Sequence, residues 1–205
     1  TRIKRYLYEK GDYKPDEEAS FAPALVNRID RNTSGIIIAA KNAESLRILN
    51  EKLKNRELHK LYLCVVIGRL KSTSGLVEGY LEKNEKQNKV YISDKATDKS
   101  KHISTKYNVL GYKNGLSLLE VELLTGRTHQ IRATFSHLGT PLLGDGKYGT
   151  NAQNKQFGGY KKQFLYSYKL AFDFKTDAGI LNYLNGKEFE VKDVWFKDAF
   201  FNGTI

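Results

Sequence analysis

The chain has 205 residues, 40% of them hydrophobic, which is enough for one domain with a core of its own. Lys+Arg is 34 against Asp+Glu 23, a formal net charge of +11, so a polyanionic partner fits, although positive charge also serves solubility. No apolar run is long enough to span a bilayer, and a single cysteine, Cys64, excludes an internal disulfide and a multi-cysteine zinc site.

A soluble domain, expected in the cytoplasm and without a membrane partner, is what remains. The chain has no methionine and opens at Thr1 in running sequence. A trimmed N-terminus, lacking part of a first sheet, is therefore expected.

Residues 1–26 read as a short helical start followed by a loop, because Gly11, Pro15 and Pro23 interrupt any long helix. Gly35-Ile36-Ile37-Ile38-Ala39-Ala40 is short, β-branched and apolar, which predicts a buried strand. Asn42 can cap a following helix, with Glu44 in its first turn and Leu46, Leu49 and Leu53 on one face. Residues 61–67 alternate as a strand, with Leu61, Leu63, Val65 and Ile67 on one side and Tyr62, Cys64 and Val66 on the other.

The lysine-rich stretch 70–105 predicts exposed hairpins and loops with one strand near Lys89-Val90-Tyr91-Ile92. Two paired strands, 107–110 and 116–124, flank the turn Lys113-Asn114-Gly115. Ile131, Phe135 and Leu138 fall at helical spacing, and Gly139 and Pro141 stop that helix. A strand from Phe164 and a last strand over 187–195 complete the pattern, which is α+β with two or three helices.

Polar residues interrupt the apolar patterns at three places. In Asn27-Arg28-Ile29-Asp30-Arg31-Asn32-Thr33-Ser34-Gly35 an aspartate sits between two arginines just before an apolar run. A carboxylate held by a guanidinium stays ionised and fixed in direction, which suits a nucleophile and not a general acid. On spacing alone, a loop aspartate making a turn or capping bond is the favoured reading.

Leu124-Thr125-Gly126-Arg127-Thr128-His129-Gln130-Ile131-Arg132 concentrates hydrogen-bonding groups at a strand-to-helix junction. Its N–H groups and Arg127 can bind phosphate, and Arg132 can reach back to a carboxylate. Lys60-Leu61-Tyr62 supplies a tyrosine that either stacks on a flat ligand or fills the core. The four histidines have no metal-ligand spacing, and no phosphate loop, dinucleotide fingerprint or serine elbow occurs. No metal site is expected.

Arg28 to Gly35, then Lys60-Leu61-Tyr62 running into Gly68, then Thr125 to Arg132 followed by Gly139, Pro141, Leu143-Gly144-Asp145 and Tyr148-Gly149, together resemble the RluA-type RNA pseudouridine synthases. The resemblance implies a mixed, largely antiparallel sheet with flanking helices and a central basic cleft. One catalytic domain over 1–205 is expected, without the first strand and without an N-terminal RNA-binding domain.

The implied activity is isomerisation of a chosen uridine in structured RNA, with no cofactor. By position, Asp30 matches the catalytic aspartate, Arg132 its arginine partner, Tyr62 the active-site tyrosine, and Arg28 the arginine that fills the space left by a flipped base. Arg31, Lys60, Arg127, His129 and Gln130 are the residues expected to shape the cleft and meet RNA. Asn27 and Ile29 depart from the family's usual His and Leu, and neither is an acid or base that the mechanism needs.

Ribosomal large-subunit RNA is the first expected substrate and transfer RNA the second, with a monomer as the expected state. A non-catalytic RNA-binding module and a base-excising hydrolase are the competing readings.

Overall fold

The computed structural model describes residues 2–16 and 21–205; Thr1 and residues 17–20, part of the expected helical start and loop, lie outside them. The chain runs α1 (Arg2–Glu9), β1 (Ala24–Leu25), β2 (Ser34–Gly35), β3 (Ala39–Ala40), α2 (Ala43–Lys54), β4 (Leu58–Ile67), β5 (Ser74–Asn84) and β6 (Lys89–Ser93). It continues through β7 (Lys101–Lys113), β8 (Leu116–Leu123), α3 (Gln130–His137), α4 (Asn151–Gln156), β9 (Leu165–Phe172), a short 3-10 helix (Gly179–Leu184), β10 (Glu188–Glu190) and α5 (Lys197–Asn202). The class is α+β. The sheet is mixed and mostly antiparallel, with order β10-β9-β4-β8-β7-β5-β6 and β2 lying parallel to β9.

The chain divides into two units. The smaller takes Thr1–Ile29, Ile36–His59 and Leu170–Phe189, and the larger takes Asp30–Gly35, Lys60–Lys169 and Glu190–Ile205.

In the smaller unit Asn42 caps α2, its side chain accepting the Ser45 N–H at 2.8 Å. The buried stripe of α2 is Ser45, Ile48, Leu49 and Lys52, so the expected Leu46 and Leu53 lie at its edges. Ile48 and Leu49 pack with Leu58, Leu170, Phe172, Phe174 and Leu181. Lys52 is buried because its Nζ reaches Glu57 at 2.9 Å and the Thr176 carbonyl at 2.6 Å. Two charges out of water persist only when each finds such partners.

The run Gly35 to Ala40 is not one buried strand. Its two ends pair differently, β2 with β9 and β3 with β1, and Ile37 between them is exposed. An apolar run records affinity for a core, not which strand it will join.

The larger unit is organised by β4, whose two faces are both covered. Leu63 and Val65 pack with Leu116, Leu118, Phe164, Phe196 and Phe200. Tyr62, Cys64 and Val66 face the other way, with Leu119, Val121, Ile131 and Phe135. The alternation expected along residues 61–67 holds. Each such side chain, fully buried, contributes roughly 1.5–3 kcal/mol.

The β7–β8 hairpin closes through Asn114 and Gly115 at φ 52° and 79°, with Lys113 opposite Leu116. Positive φ at both central residues is the two-residue turn whose twist matches its strands.

Three further expectations differ from the structure. The stretch 70–105 contains a long strand, β5, paired on both sides with β6 and β7. Its exposed Glu78 and Lys83 gave it a polar composition that hides a sheet position. The last strand is only Glu188–Glu190, and Val194 and Phe196 enter the core from the turn before α5. Five α-helices are described, more than the two or three expected, because α4 and α5 are too short to show a helical period.

Candidate active site

Four segments of the larger unit converge: the loop opening at Asp30, strand β4, the junction leading into α3, and the turn from Asp145 to Tyr148. Thr33 N–H closes a turn on the Asp30 carbonyl at 3.0 Å. The buried Gln163 amide then donates to the Arg31 carbonyl at 2.7 Å and to Thr33 Oγ1 at 3.2 Å. These bonds, and the β2–β9 pairing that follows, set the direction of Asp30.

Arg132, on the second residue past Gln130 in α3, brings the segments together. Its Nη1 donates to Asp30 Oδ2 at 3.3 Å. Its Nε and Nη2 donate to Asp145 at 2.6 and 2.9 Å, a two-pronged guanidinium–carboxylate bond. Burial works against the Arg132 charge, but the two carboxylates overcome it and raise its pKa. Burial likewise opposes ionisation of Asp145, and Arg132 with the N–H groups of Lys147 and Tyr148 outweighs it, lowering its pKa. The Arg132 and Asp145 side chains are 8% and 1% exposed, whereas Asp30 is 22% exposed. Of the two acids, Asp30 is the one solvent can reach.

Tyr62 is buried on β4, on the same face as Ile131 and Phe135. Burial pushes its phenol pKa up, the Asp30 charge adds to this, and a hydrogen bond with Ser167 works the other way. Asp30, Tyr62 and Arg132 are thus brought together from positions far apart in the chain.

His129 precedes α3 in a left-handed conformation, φ 54°. Non-glycine residues occupy that region at a cost, and such strain concentrates at functional sites. Its Nδ1 is 2.9 Å from the Tyr148 hydroxyl. Burial lowers the His129 pKa, Asp30 and Asp145 oppose this, and Arg132 and Lys147 reinforce it.

Gln130 is buried, and its amide is used within the protein. Oε1 accepts from Thr125 Oγ1 and Arg127 N, while Nε2 donates to the Ser104 carbonyl and Thr105 Oγ1. It therefore holds the 125–127 loop in shape, and it has no free group to offer a ligand. Arg31 and Arg127 are exposed. Lys60 is half-buried beside Gly126, and burial lowers its pKa. Arg28 belongs to the smaller unit, where it is exposed.

Asp145, Tyr148, Gln163 and Ser167 received no role from sequence reasoning. Asp145 and Tyr148 stood in a matched block, and that was the available signal. Among the described residues no group of three or more His, Cys, Asp or Glu is placed to hold a metal ion, and no helix is long and apolar enough to cross a membrane.

A family model described as RNA pseudouridylate synthase matches residues 2–137. The chain is 35% identical over 158 residues to the ribosomal large subunit pseudouridine synthase D of Borreliella burgdorferi, covering 76% of this chain and 46% of that protein. It is 37% identical over 155 residues to an uncharacterized RNA pseudouridine synthase of Mycoplasma genitalium, covering 75% and 48%. The chain spans about half the length of these curated relatives. Human RNA pseudouridylate synthase domain containing 1 shares the fold at a TM-score of 0.69 and 22% identity, covering 89% of this chain and 76% of that one. With the family model matching well over half of its length, the chain belongs to the RNA pseudouridine synthase family.

Proposed function

We propose that this chain isomerises uridine to pseudouridine in structured RNA, with Asp30 as the carboxylate that acts on the nucleotide. The observation that carries the reading is the pairing of a partly exposed Asp30 with a buried Arg132 at 3.3 Å. Arg132 is itself anchored by Asp145, so Asp30 is aimed while one side of it stays open.

In this reaction the N1–C1′ bond breaks, the uracil turns, and a C5–C1′ bond forms. The hydrogen lost from C5 is matched by one gained at N1, so the mass is unchanged and no co-reactant enters. A uridine in a stack must first flip out, which costs a few kcal/mol, least in a loop. Arg28 is assigned to the gap left by the base, where a guanidinium stacks and meets phosphate.

Tyr62 is assigned to the face of the uracil. Its phenol, with a raised pKa, stays protonated at neutral pH and can donate a hydrogen bond. The exposed Arg31 and Arg127, with Lys60 and His129, are assigned to the RNA backbone, and Gln130 to shaping the loop that carries Arg127.

Large-subunit ribosomal RNA is the proposed substrate, in keeping with the names of the Borreliella relative and of the Haemophilus ducreyi ribosomal large subunit pseudouridine synthase C, 33% identical over 156 residues. Transfer RNA is the second choice, and the cytoplasm is the proposed location.

The test is Asp30→Asn on ribosomal and transfer RNA transcripts, read by liquid chromatography of digested nucleosides, which separates the two isomers, with mass spectrometry to detect any free uracil. Pseudouridine formation is expected to fall by at least about 1,000-fold with the fold intact. Full activity in D30N overturns the role of Asp30. Binding without pseudouridine in the wild-type chain would instead mark an RNA-binding module, and free uracil a glycosidase.

A further inference from the structure

One tyrosine outside the proposed catalytic set lies against the Arg132 guanidinium and shares a turn with Asp145, which holds it. The Arg132 guanidinium carbon lies 5.0 Å from the Tyr148 ring centroid. The Tyr148 hydroxyl accepts the Val90 N–H at 3.0 Å and meets His129 Nδ1 at 2.9 Å. Lys89 Nζ lies 5.1 Å from the same ring centroid. Tyr148 is 7% exposed and packs with Leu81, Val90, Ile103 and Ala133.

The chemistry of these contacts is directional. A phenol has one proton and accepts through its oxygen. The Tyr148 oxygen accepts from Val90, and the direction of its bond with His129 Nδ1 follows whichever imidazole nitrogen carries the proton. Val90 sits on β6, the last strand in the sheet order, and the N–H that meets Tyr148 belongs to that unpaired edge.

The turn that presents Tyr148 also presents Asp145. Asp145 Oδ1 accepts the Lys147 and Tyr148 N–H groups at 2.9 and 3.1 Å. Asp145 therefore fixes the guanidinium within its plane, and the Tyr148 ring is placed against the same group.

We infer that Tyr148 is a positioning residue, which sets the orientation of the Arg132 guanidinium toward Asp30 and ties it to the edge strand of the β5–β6 hairpin. The inference rests on the proposed function for its consequence in catalysis. It does not require Tyr148 to touch RNA.

Two variants separate the ring from the hydroxyl. Tyr148→Leu removes both, and Tyr148→Phe keeps the ring on Arg132 while freeing the Val90 N–H. Single-turnover rates at saturating RNA and RNA affinities are measured for each. Y148L is expected to lose on the order of 100-fold in rate, the scale of a misplacement near 1 Å, with affinity changed less than about twofold. Y148F is expected to recover most of that rate, while its Val90 amide exchanges with solvent at least about tenfold faster.

An unchanged rate in Y148L, or a loss confined to affinity, overturns the inference. If Y148L does not fold, Tyr148→Met takes its place; a rate loss with affinity kept supports positioning, and an unchanged rate or a loss confined to affinity refutes it. A wild-type chain without activity on any RNA counts against the proposed function alone. In that event the Arg132 Nε–H exchange rate, followed by NMR, decides: it rises in Y148L if Tyr148 positions Arg132, and an unchanged rate rejects the idea.

Discussion

Asp145 grips Arg132 more closely than Asp30 does: two bonds at 2.6 and 2.9 Å against one at 3.3 Å. The arginine's charge is thus largely matched by a carboxylate that solvent cannot reach, and Asp30 is oriented without being fully neutralised. Asp145→Asn is expected to destabilise the fold by about 2–3 kcal/mol, since one partner of a buried pair is lost while Asp30 remains. Pseudouridine formation is expected to fall on the order of 100-fold as Arg132 moves. Urea midpoints and single-turnover rates check both.

The buried pair Lys52–Glu57 makes the smaller unit sensitive to acid. Burial opposes the Glu57 charge, but Lys52 and the N–H groups of Lys175 and Thr176 outweigh it and hold the carboxyl at about 2, against an ordinary 4.5. A folded-state pKa below the unfolded one contributes stability above the unfolded value and loses it as pH falls. The loss is therefore expected between about 4.5 and 2. Lys52→Met strands the carboxylate and is expected to cost about 3–5 kcal/mol at neutral pH, with a flatter stability curve in acid. Denaturant titrations from pH 7 downward test this.

Gly35 is replaceable by no L-residue without a shift of backbone. Its φ is 119°, and an added Cβ would lie 2.1 Å from the Ser167 carbonyl oxygen. Gly35→Ala is expected to break the β2–β9 pairing that follows Asp30, destabilising by roughly 2–4 kcal/mol and lowering activity. Thermal midpoints and rates should fall together; a stable variant with full activity would show that this pairing does not govern Asp30.

If Arg127 and Lys60 meet phosphate, each removes counterions when RNA binds. Arg127→Ala and Lys60→Ala should each reduce the slope of log affinity against log salt by about 1, with little change in site choice. Binding titrations over a range of salt concentrations measure the slope. An unchanged slope would remove that residue from the interface.

The elements most legible in the sequence are those written locally. The alternation through Leu63, Cys64 and Val65 needed only period two, the Asn114-Gly115 turn only two residues that tolerate positive φ, and the α2 cap only Asn42 before an amphipathic run. The blocks containing Asp30, Tyr62 and Arg132 were likewise visible as polar residues in apolar surroundings. Strand β5 is hidden because its place depends on β6 and β7, and the run through Ile36 to Ile38 reads as one strand although its ends join different partners.

By itself, then, the sequence determined which turns and faces the chain prefers and where polar residues interrupt them, since these follow from side-chain type and short-range sterics. Only the tertiary structure decided that Asp145 shares Arg132 with Asp30, that Gln130 is spent on its own loop, and that Tyr148 joins Arg132 to the edge of β6. Those relationships depend on hydrogen bonds and ring contacts between residues distant in the chain. No local period encodes them, because they come into being only when packing brings the segments within a few ångströms of one another.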